Sequence, residues 1–117
     1  MIKGHIELLE KTRNKIDICL KKCDWVYKNL NNNTCLSDEM RNKYKTVIPR
    51  RIDELCNNKM LVKKDLLNLK RILVERRSYD ERFIAEILKQ LPVIKQVLKE
   101  CDALIEELDN IEKILKY

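Results

Sequence analysis

Few residues in this chain have side chains suited to chemistry. Its 117 residues include one histidine, His5, and five cysteines. Cys19 and Cys23 are four residues apart, so a helix would place both on one face, as two ligands of a zinc ion would lie. Zinc needs three or four protein ligands, and no second cysteine pair has a suitable spacing. We therefore interpret both cysteines as small core residues and predict neither a metal site nor a cofactor.

Catalytic and phosphate-binding motifs are also missing from the sequence. A Ser–His–Asp or Cys–His set would depend on His5, which lies near the N-terminus and which we expect to be solvated. The chain has one glycine, Gly4, so it cannot form a glycine-rich phosphate loop. Most carboxylates stand among Lys and Arg residues at helical spacings, which is typical of a solvated surface. The sequence therefore predicts a protein that is not an enzyme.

The distribution of charge is the more informative polar feature. Residues 1–82 carry 20 Lys and Arg against 12 Asp and Glu, a net charge of +8, whereas residues 83–117 carry −2. Lys63, Lys70 and Arg77 repeat every seven residues and would share one face of a helix. This basic stripe is either a solvated face or a docking surface for an acidic protein, a nucleic acid or a membrane.

The elements that position these residues are predicted to be long helices. Two prolines and one glycine argue against a β fold, which needs frequent turn residues. Apolar residues instead repeat every seven along three stretches, near residues 2–30, 38–77 and 79–117. The three series are Leu9, Ile16, Cys23 and Leu30; Ile48, Leu55, Val62 and Leu69; and Ile87, Ile94, Cys101, Leu108 and Leu115.

A second line of apolar residues accompanies each series. Two such lines on a helix would be buried between neighbouring helices of a bundle. The candidates are Leu20 and Tyr27 in the first stretch, Tyr44, Leu66 and Leu73 in the second, and Ile84, Leu91, Leu98 and Ile105 in the third.

Capping residues and short links bound the three stretches. Ser37 is a suitable N-cap for the second stretch, and Ser78 with Glu81 matches a capping box for the third. Short links favour antiparallel neighbours. The sequence therefore predicts an all-α fold, an elongated antiparallel bundle of three long helices in a single domain that spans residues 1–117.

Two prolines qualify this architecture. Pro49 is expected to kink or break the second helix, and Asn57-Asn58 is a further weak point. If the middle stretch broke near either position, the bundle would have four helices. Pro92 predicts a kink near Ile87–Leu88, but the heptad register continues across it, so we expect the third helix to persist.

The cellular environment is predicted from what the sequence contains and lacks. The N-terminal residues do not resemble a signal peptide, and no stretch approaches the ~20 apolar residues of a membrane span. The five cysteines are an odd number and fall mostly within helical patterns, so we interpret them as reduced. We expect a cytoplasmic or nuclear protein.

Three short strings resemble the BAG domain, a three-helix co-chaperone module of similar length. They are Leu9-Glu10-Lys11, Asp65-Leu66-Leu67-Asn68-Leu69 and Leu98-Lys99-Glu100-Cys101-Asp102. The resemblance implies a three-helix bundle that binds the ATPase domain of the seventy-kilodalton heat-shock chaperone. It also implies that Glu54, Asp65, Arg82 and Gln90 contact that partner. Pro49 and Pro92 lie outside the family's pattern.

Three functions are consistent with these observations. The first is a non-enzymatic protein–protein interaction module or adaptor, with a BAG-like chaperone regulator as its most specific form. The second is a basic helical protein that binds the backbone of a nucleic acid, with salt-dependent affinity. The third is a coiled-coil structural subunit of a larger assembly, which would self-associate through its apolar seams.

Overall fold

The computed structural model describes residues 2–32, 36–75 and 81–116, which contain four helices and no strand. They are α1 (Ile2–Asn29), α2 (Asp38–Glu75), α3 (Glu81–Leu88) and α4 (Leu91–Leu115). The last two form a bent pair in the position of the predicted third helix, and the molecule measures 60 × 20 × 18 Å. The prediction of an elongated all-α bundle is confirmed.

The second helix is continuous. The sequence left open whether the middle stretch forms one kinked helix or two, and α2 extends over 38 residues through Pro49 and Asn57-Asn58 as one helix. Ile48 and Leu55, on either side of the proline, are both buried in the core, and this burial offsets the backbone hydrogen bond that Pro49 cannot donate. The predicted N-cap is confirmed, because the Met40 N–H donates to Ser37 Oγ at 3.2 Å.

The third helix is interrupted at the position of the predicted kink, near Ile87–Leu88, although we expected it to persist across Pro92. Helical structure ends at Leu88 and resumes at Leu91, across a turn in which the Gln90 N–H donates to the Ile87 carbonyl at 3.1 Å. Pro92 then lies in the first turn of α4. An amide there would have no intrahelical acceptor in any case, so proline is tolerated where the helix begins. The predicted capping box at Ser78 lies outside the described residues.

Ion pairs fix the directions of α1 and α4. Lys15 Nζ lies 3.0 Å from Asp102 Oδ1, and Lys22 pairs with Asp109 one heptad further along both helices. Each pair is separated by 87 residues in sequence. The two helices therefore run parallel, with the same register at both contacts.

The second helix runs antiparallel to both. Lys59 lies 2.6 Å from Asp17 of α1, whereas Lys70, further along α2, lies 3.0 Å from the earlier residue Glu10. Close backbone contacts join α1 to α2 and α1 to α4, while α2 approaches the α3–α4 pair closely at few positions. α1 is thus the central helix, and a groove separates α2 from α3 and α4.

Burial confirms the first apolar line of each helix and the second-line residues Tyr44 and Leu66 of α2, but it corrects the second line elsewhere. All members of the three predicted heptad series are buried except Leu115, which packs at the edge of the core. Tyr27 and Leu73, by contrast, are 44% and 40% exposed. The α4 candidates Leu91, Leu98 and Ile105 are only half-buried. The buried residues lie instead three positions after the first line: Thr12, Cys19 and Val26 in α1, Asp65 and Ile72 in α2, and Val97 and Ile111 in α4.

Side-chain size explains this shift on the central helix. The residues three positions after the first line of α1 are Thr12, Cys19 and Val26, which are smaller than Leu20 and Tyr27. Because α1 is enclosed by two helices, small residues on the shared face let both neighbours approach closely. The larger side chains lie toward the edges of the interface, where they are partly buried or exposed.

Candidate binding groove between α2 and α3

A groove of about 200 Å³ lies between α2 and α3. Its apolar walls are Leu61 of α2 and Phe83 and Ile87 of α3. The polar residues that line it are Lys64, Asp65, Asn68, Glu86 and Gln90. The groove therefore combines apolar surface with a small number of polar groups, which is typical of a binding site.

Asp65 is the unusual residue of the groove. It occupies a core position of α2, three residues after Val62, and is only 6% exposed. Its Oδ2 atom is buried and has no hydrogen-bond partner among the described residues. Burial raises the pKa of the Asp65 carboxyl, while the nearby positive charges of Lys64 and His5 act in the opposite direction. A buried carboxylate without full hydrogen bonding is costly, so a cationic ligand would find a strong partner here.

His5 contributes the second buried polar atom that lacks a hydrogen-bond partner within the described part of the chain. The expectation that it is solvated is wrong, because the residue is half-buried and its Nε2 atom is fully enclosed. It stands seven residues before Thr12, on the inner line of α1. The two unsatisfied groups, His5 Nε2 and Asp65 Oδ2, thus belong to one polar region at this end of the bundle.

The arrangement is suited to binding an ammonium or guanidinium group rather than a metal ion or a reacting substrate. In the ranges that the structure describes, no group of three His, Cys, Asp or Glu side chains is placed to hold a metal. Carboxylates between apolar walls, Asp65 and Glu86, instead match a Lys or Arg side chain, whose aliphatic stem packs on the walls while its head pairs with an acid.

The structure brings together two of the four residues that the BAG resemblance implied. Asp65 and Gln90 line the same groove. Glu54 lies eleven residues earlier on α2, pairs with Arg51 at 3.3 Å and lines a separate small cavity between α2 and α4. Arg82 is exposed in the first turn of α3 and is not among the groove-lining residues.

The predicted basic stripe is only partly available. Lys63 is exposed, whereas Lys70 pairs with Glu10 of α1 at 3.0 Å. Lys59, which precedes them, pairs with Asp17. Arg77 lies outside the described residues. Some of the positive charge that suggested an external partner is therefore used within the bundle.

The cysteines pack as the sequence predicted for Cys19 and Cys23. Cys19, Cys23 and Cys101 are buried free thiols, and Cys19 Sγ donates to the Cys101 carbonyl at 3.4 Å. The hydrogen bond to Cys101, with burial, raises the pKa of the Cys19 thiol, and burial raises the pKa of Cys23 to about 11. A thiol with a raised pKa is a poor nucleophile and a poor metal ligand, whereas the side-chain interaction with Cys19 lowers the pKa of Cys101. Cys56 is exposed, and Cys35 lies outside the described residues.

Reasoning from periodicity alone did not identify Asp65 as a buried carboxylate in the groove. The sequence did carry a signal, since Asp65 stands three residues after Val62 and directly before Leu66, at a heptad position where an apolar residue is expected. A charged residue at such a position marks either a buried ion pair or a binding group.

Comparison with known proteins adds no relative. No known protein family, no characterised protein and no solved structure matches this chain. Among the described helices, none is long and apolar enough to cross a membrane.

Proposed function

We propose that this chain is a non-enzymatic helical adaptor that binds a partner protein through the groove between α2 and α3. In this proposal a Lys or Arg side chain of the partner enters the groove and pairs with Asp65. Leu61, Phe83 and Ile87 cover the aliphatic part of that side chain, and Gln90 offers a hydrogen-bonding amide at the edge. The chain works in the cytoplasm or nucleus, where its thiols stay reduced.

The observation that carries this proposal is a nearly buried carboxylate, Asp65, which lines the groove and whose Oδ2 atom has no hydrogen-bond partner among the described residues. Buried charges in folded proteins are normally paired, and removing the partner of a buried charge costs several kcal/mol, on the order of 3–5. A ligand that supplies the missing positive charge recovers much of that energy on binding. The same carboxylate would make the site selective, because a neutral or acidic side chain leaves it unpaired.

The BAG resemblance supplies one specific partner for the same groove. If the chain is a BAG-like co-chaperone, the ATPase domain of the seventy-kilodalton heat-shock chaperone is the protein whose basic side chain Asp65 receives. The position of Gln90 beside Asp65 supports this version. The distance of Glu54 along α2 counts against a single contact that includes all four residues.

The test is affinity capture with wild-type protein and with Asp65→Asn, which keeps the shape of the side chain and removes its charge. The matched control is Asp53→Asn, an exposed aspartate of the same helix. We expect a partner protein that wild type and Asp53→Asn retain and that Asp65→Asn loses, with affinity reduced by about tenfold or more when the purified pair is measured. The purified chaperone ATPase domain is measured in parallel.

Other outcomes distinguish the remaining functions. Equal binding by Asp65→Asn and wild type would contradict the groove as the binding site. Recovery of nucleic acid with a steep salt dependence would favour a backbone-binding protein. Recovery of further copies of the chain itself would favour a coiled-coil structural subunit.

A further inference from the structure

The outer face of α2 carries a line of exposed apolar side chains. Met60, Leu67 and Val74 are 71%, 60% and 80% exposed and follow one another at intervals of seven residues. Exposed apolar residues are ordinary when they are scattered. Here an exposed apolar residue occupies the same heptad position three times in succession, so the three residues form a single apolar line about 21 Å long.

Basic residues border this apolar line on both sides. At 100° per residue, Lys63 and Lys70 lie on one side of it and Lys64 and Arg71 on the other. All four are exposed. Lys70 is paired with Glu10, and the other three have no ion-pair partner among the described side chains. The outer face is thus an apolar line with two basic borders, on the side of α2 opposite the core.

The charge of the borders decides which occupant fits. A second copy docked by the same face would bring Lys63 and Lys70 against equivalent lysines or against Lys64 and Arg71, and like charges at such distances repel. An occupant with acidic residues on both sides of its own apolar line would form opposite-charge pairs along both borders, as in heterodimeric coiled coils.

The shape of the line separates a helical partner from a lipid surface. The three apolar residues span an arc of only about 40° around the helix, much narrower than the ≳100° apolar stripe of helices that lie on a broad apolar surface. The line contains no aromatic residue, whereas helices that lie in membrane interfaces commonly bury Trp or Phe. A narrow straight line on a rigid helix matches the seam that another helix covers.

We propose that the outer face of α2 binds an acidic amphipathic helix of a partner protein, which covers Met60, Leu67 and Val74 and pairs with the basic borders. This surface does not include Asp65 and shares only Lys64 with the lining of the α2–α3 groove. A chain that carries both surfaces binds two proteins, on neighbouring faces of α2.

The probe is a synthetic helical peptide of about three heptads, with leucines along one line and glutamates on both sides of it. A control peptide has lysines in place of the glutamates. We expect the full chain to bind the acidic peptide and not the basic one, with affinity that falls as salt is raised.

Variants of the chain locate the binding on α2. Leu67→Ser should weaken binding of the acidic peptide by about tenfold or more, whereas Val93→Ser, at an exposed valine of α4, should change it by less than about twofold. The charge test is the triple variant Lys63→Glu, Lys64→Glu, Arg71→Glu. Its matched control is Lys95→Glu, Lys99→Glu, Lys113→Glu, which makes the same change in net charge on exposed positions of α4. Helical circular dichroism checks that each variant is folded.

Three results would overturn the proposal. One is failure of folded wild-type protein to bind the acidic peptide. Another is equal loss of binding in the two triple variants, which would show a general effect of net charge. The third is binding of anionic phosphatidylserine vesicles that Leu67→Ser abolishes, together with no binding of the peptide, which would assign the face to a lipid surface. Asp65→Asn should leave peptide binding unchanged, so the two surfaces are tested independently.

Discussion

At the scale of single residues, Asp65 is the clearest case of a position where stability and binding conflict. Its neighbours along α2 include the buried residues Val62, Leu66 and Leu69, and an apolar side chain at position 65 would continue that surface. The carboxylate instead leaves a buried oxygen without a partner among the described residues. A residue that costs folding energy and lines a groove is more readily explained by a ligand than by packing.

Replacing this carboxylate should make the free protein more stable. Asp65→Leu removes the unsatisfied group and supplies an apolar side chain of similar size, so the free energy of unfolding should rise by about 1 kcal/mol near neutral pH. Denaturant titration measures the change. A loss of stability of similar size would show that Asp65 has a hydrogen-bonding partner in solution.

The same substitution should change how stability depends on pH. Because burial raises the pKa of Asp65 above its value in the unfolded chain, the folded state holds this proton more tightly. The contribution of Asp65 is therefore most favourable at low pH, below the unfolded pKa, and is lost as pH rises through the folded pKa. The other charged or titratable groups near Asp65 are Lys64 of α2 and His5 of α1, whose positive charges oppose the effect of burial, and Glu86 of α3, which lines the same groove.

The measurement is the difference in unfolding free energy between wild type and Asp65→Leu as a function of pH. That difference should be smallest under acidic conditions and grow in favour of the variant as pH rises toward neutrality. A difference that does not vary with pH would contradict the raised pKa.

A pair of leucines in α4 tests the corrected core at the same scale. Leu108 is almost fully buried, whereas Leu98, which periodicity placed on the second line, is half-buried. Leu108→Ala should therefore cost about 2–5 kcal/mol of unfolding free energy and Leu98→Ala about 1 kcal/mol. Thermal or denaturant unfolding of the two variants gives the comparison. Similar losses at both sites would restore the line that the sequence favoured.

At the scale of elements, the sequence predicted where the helices lie better than it predicted which residues of each helix are buried. Heptad spacing identified the first line of each helix because apolar residues, mostly Leu, Ile and Val, recur there with Cys23 and Cys101 as the two small members. On α1 the second line was misplaced because Leu20 and Tyr27 are more apolar and larger than Thr12 and Cys19. A rule based on hydrophobicity chooses the larger pair, whereas a helix enclosed by two neighbours needs the smaller pair at its centre.

The candidate groove could be predicted only in part for a related reason. The resemblance to the BAG domain implied Asp65 and Gln90, and both line the groove. It could not indicate that Glu54 is directed to a different cavity, since that depends on how far α2 and α4 diverge. Nor could charge counts show that Lys59 and Lys70 pair with α1, because such pairs depend on the register between helices.

At this scale, replacing each proline tests how it affects the hydrogen bonding of its helix. Pro49 lies well inside α2 and is exposed, so Pro49→Ala should restore a backbone hydrogen bond without disturbing the core. We expect the free energy of unfolding to rise by about 2 kcal/mol. Pro92→Ala is the control, because a proline in the first turn of α4 removes no intrahelical bond and its replacement should change stability by less than about 0.5 kcal/mol. Equal effects at both positions would mean that α2 does not continue past Pro49.

At the scale of the whole molecule, ion pairs within the bundle account for part of the charge asymmetry between the two parts of the sequence. Residues 83–117 are acidic, and three of their carboxylates face basic residues of α1. Lys15 pairs with Asp102, and Lys22 pairs with Asp109 and lies 3.8 Å from Glu112. These contacts repeat along parallel helices and favour one register over its neighbours.

The shape of the molecule follows from having one central helix. Because α2 and the α3–α4 pair each lie along α1, the bundle is as long as its helices and only two helices wide, with a Cα radius of gyration of 17.8 Å. A compact globular domain of this length would have a radius of gyration of about 13 Å. Both proposed surfaces depend on this extended form, since the groove lies between helices that diverge and the outer face of α2 is uncovered.

Small-angle X-ray scattering with a mass determination tests that form directly. We expect a monomer whose radius of gyration is close to 18 Å, slightly raised by the side chains and hydration that scattering includes. A value near 13 Å would mean that the chain folds back on itself at the turn between α3 and α4, which would close the groove around Asp65. A mass twice that of the chain would instead support the coiled-coil subunit. The two cases differ in their response to Leu67→Ser: a dimer joined through the outer face of α2 would dissociate, whereas an interface elsewhere would persist and leave that face open to its acidic partner.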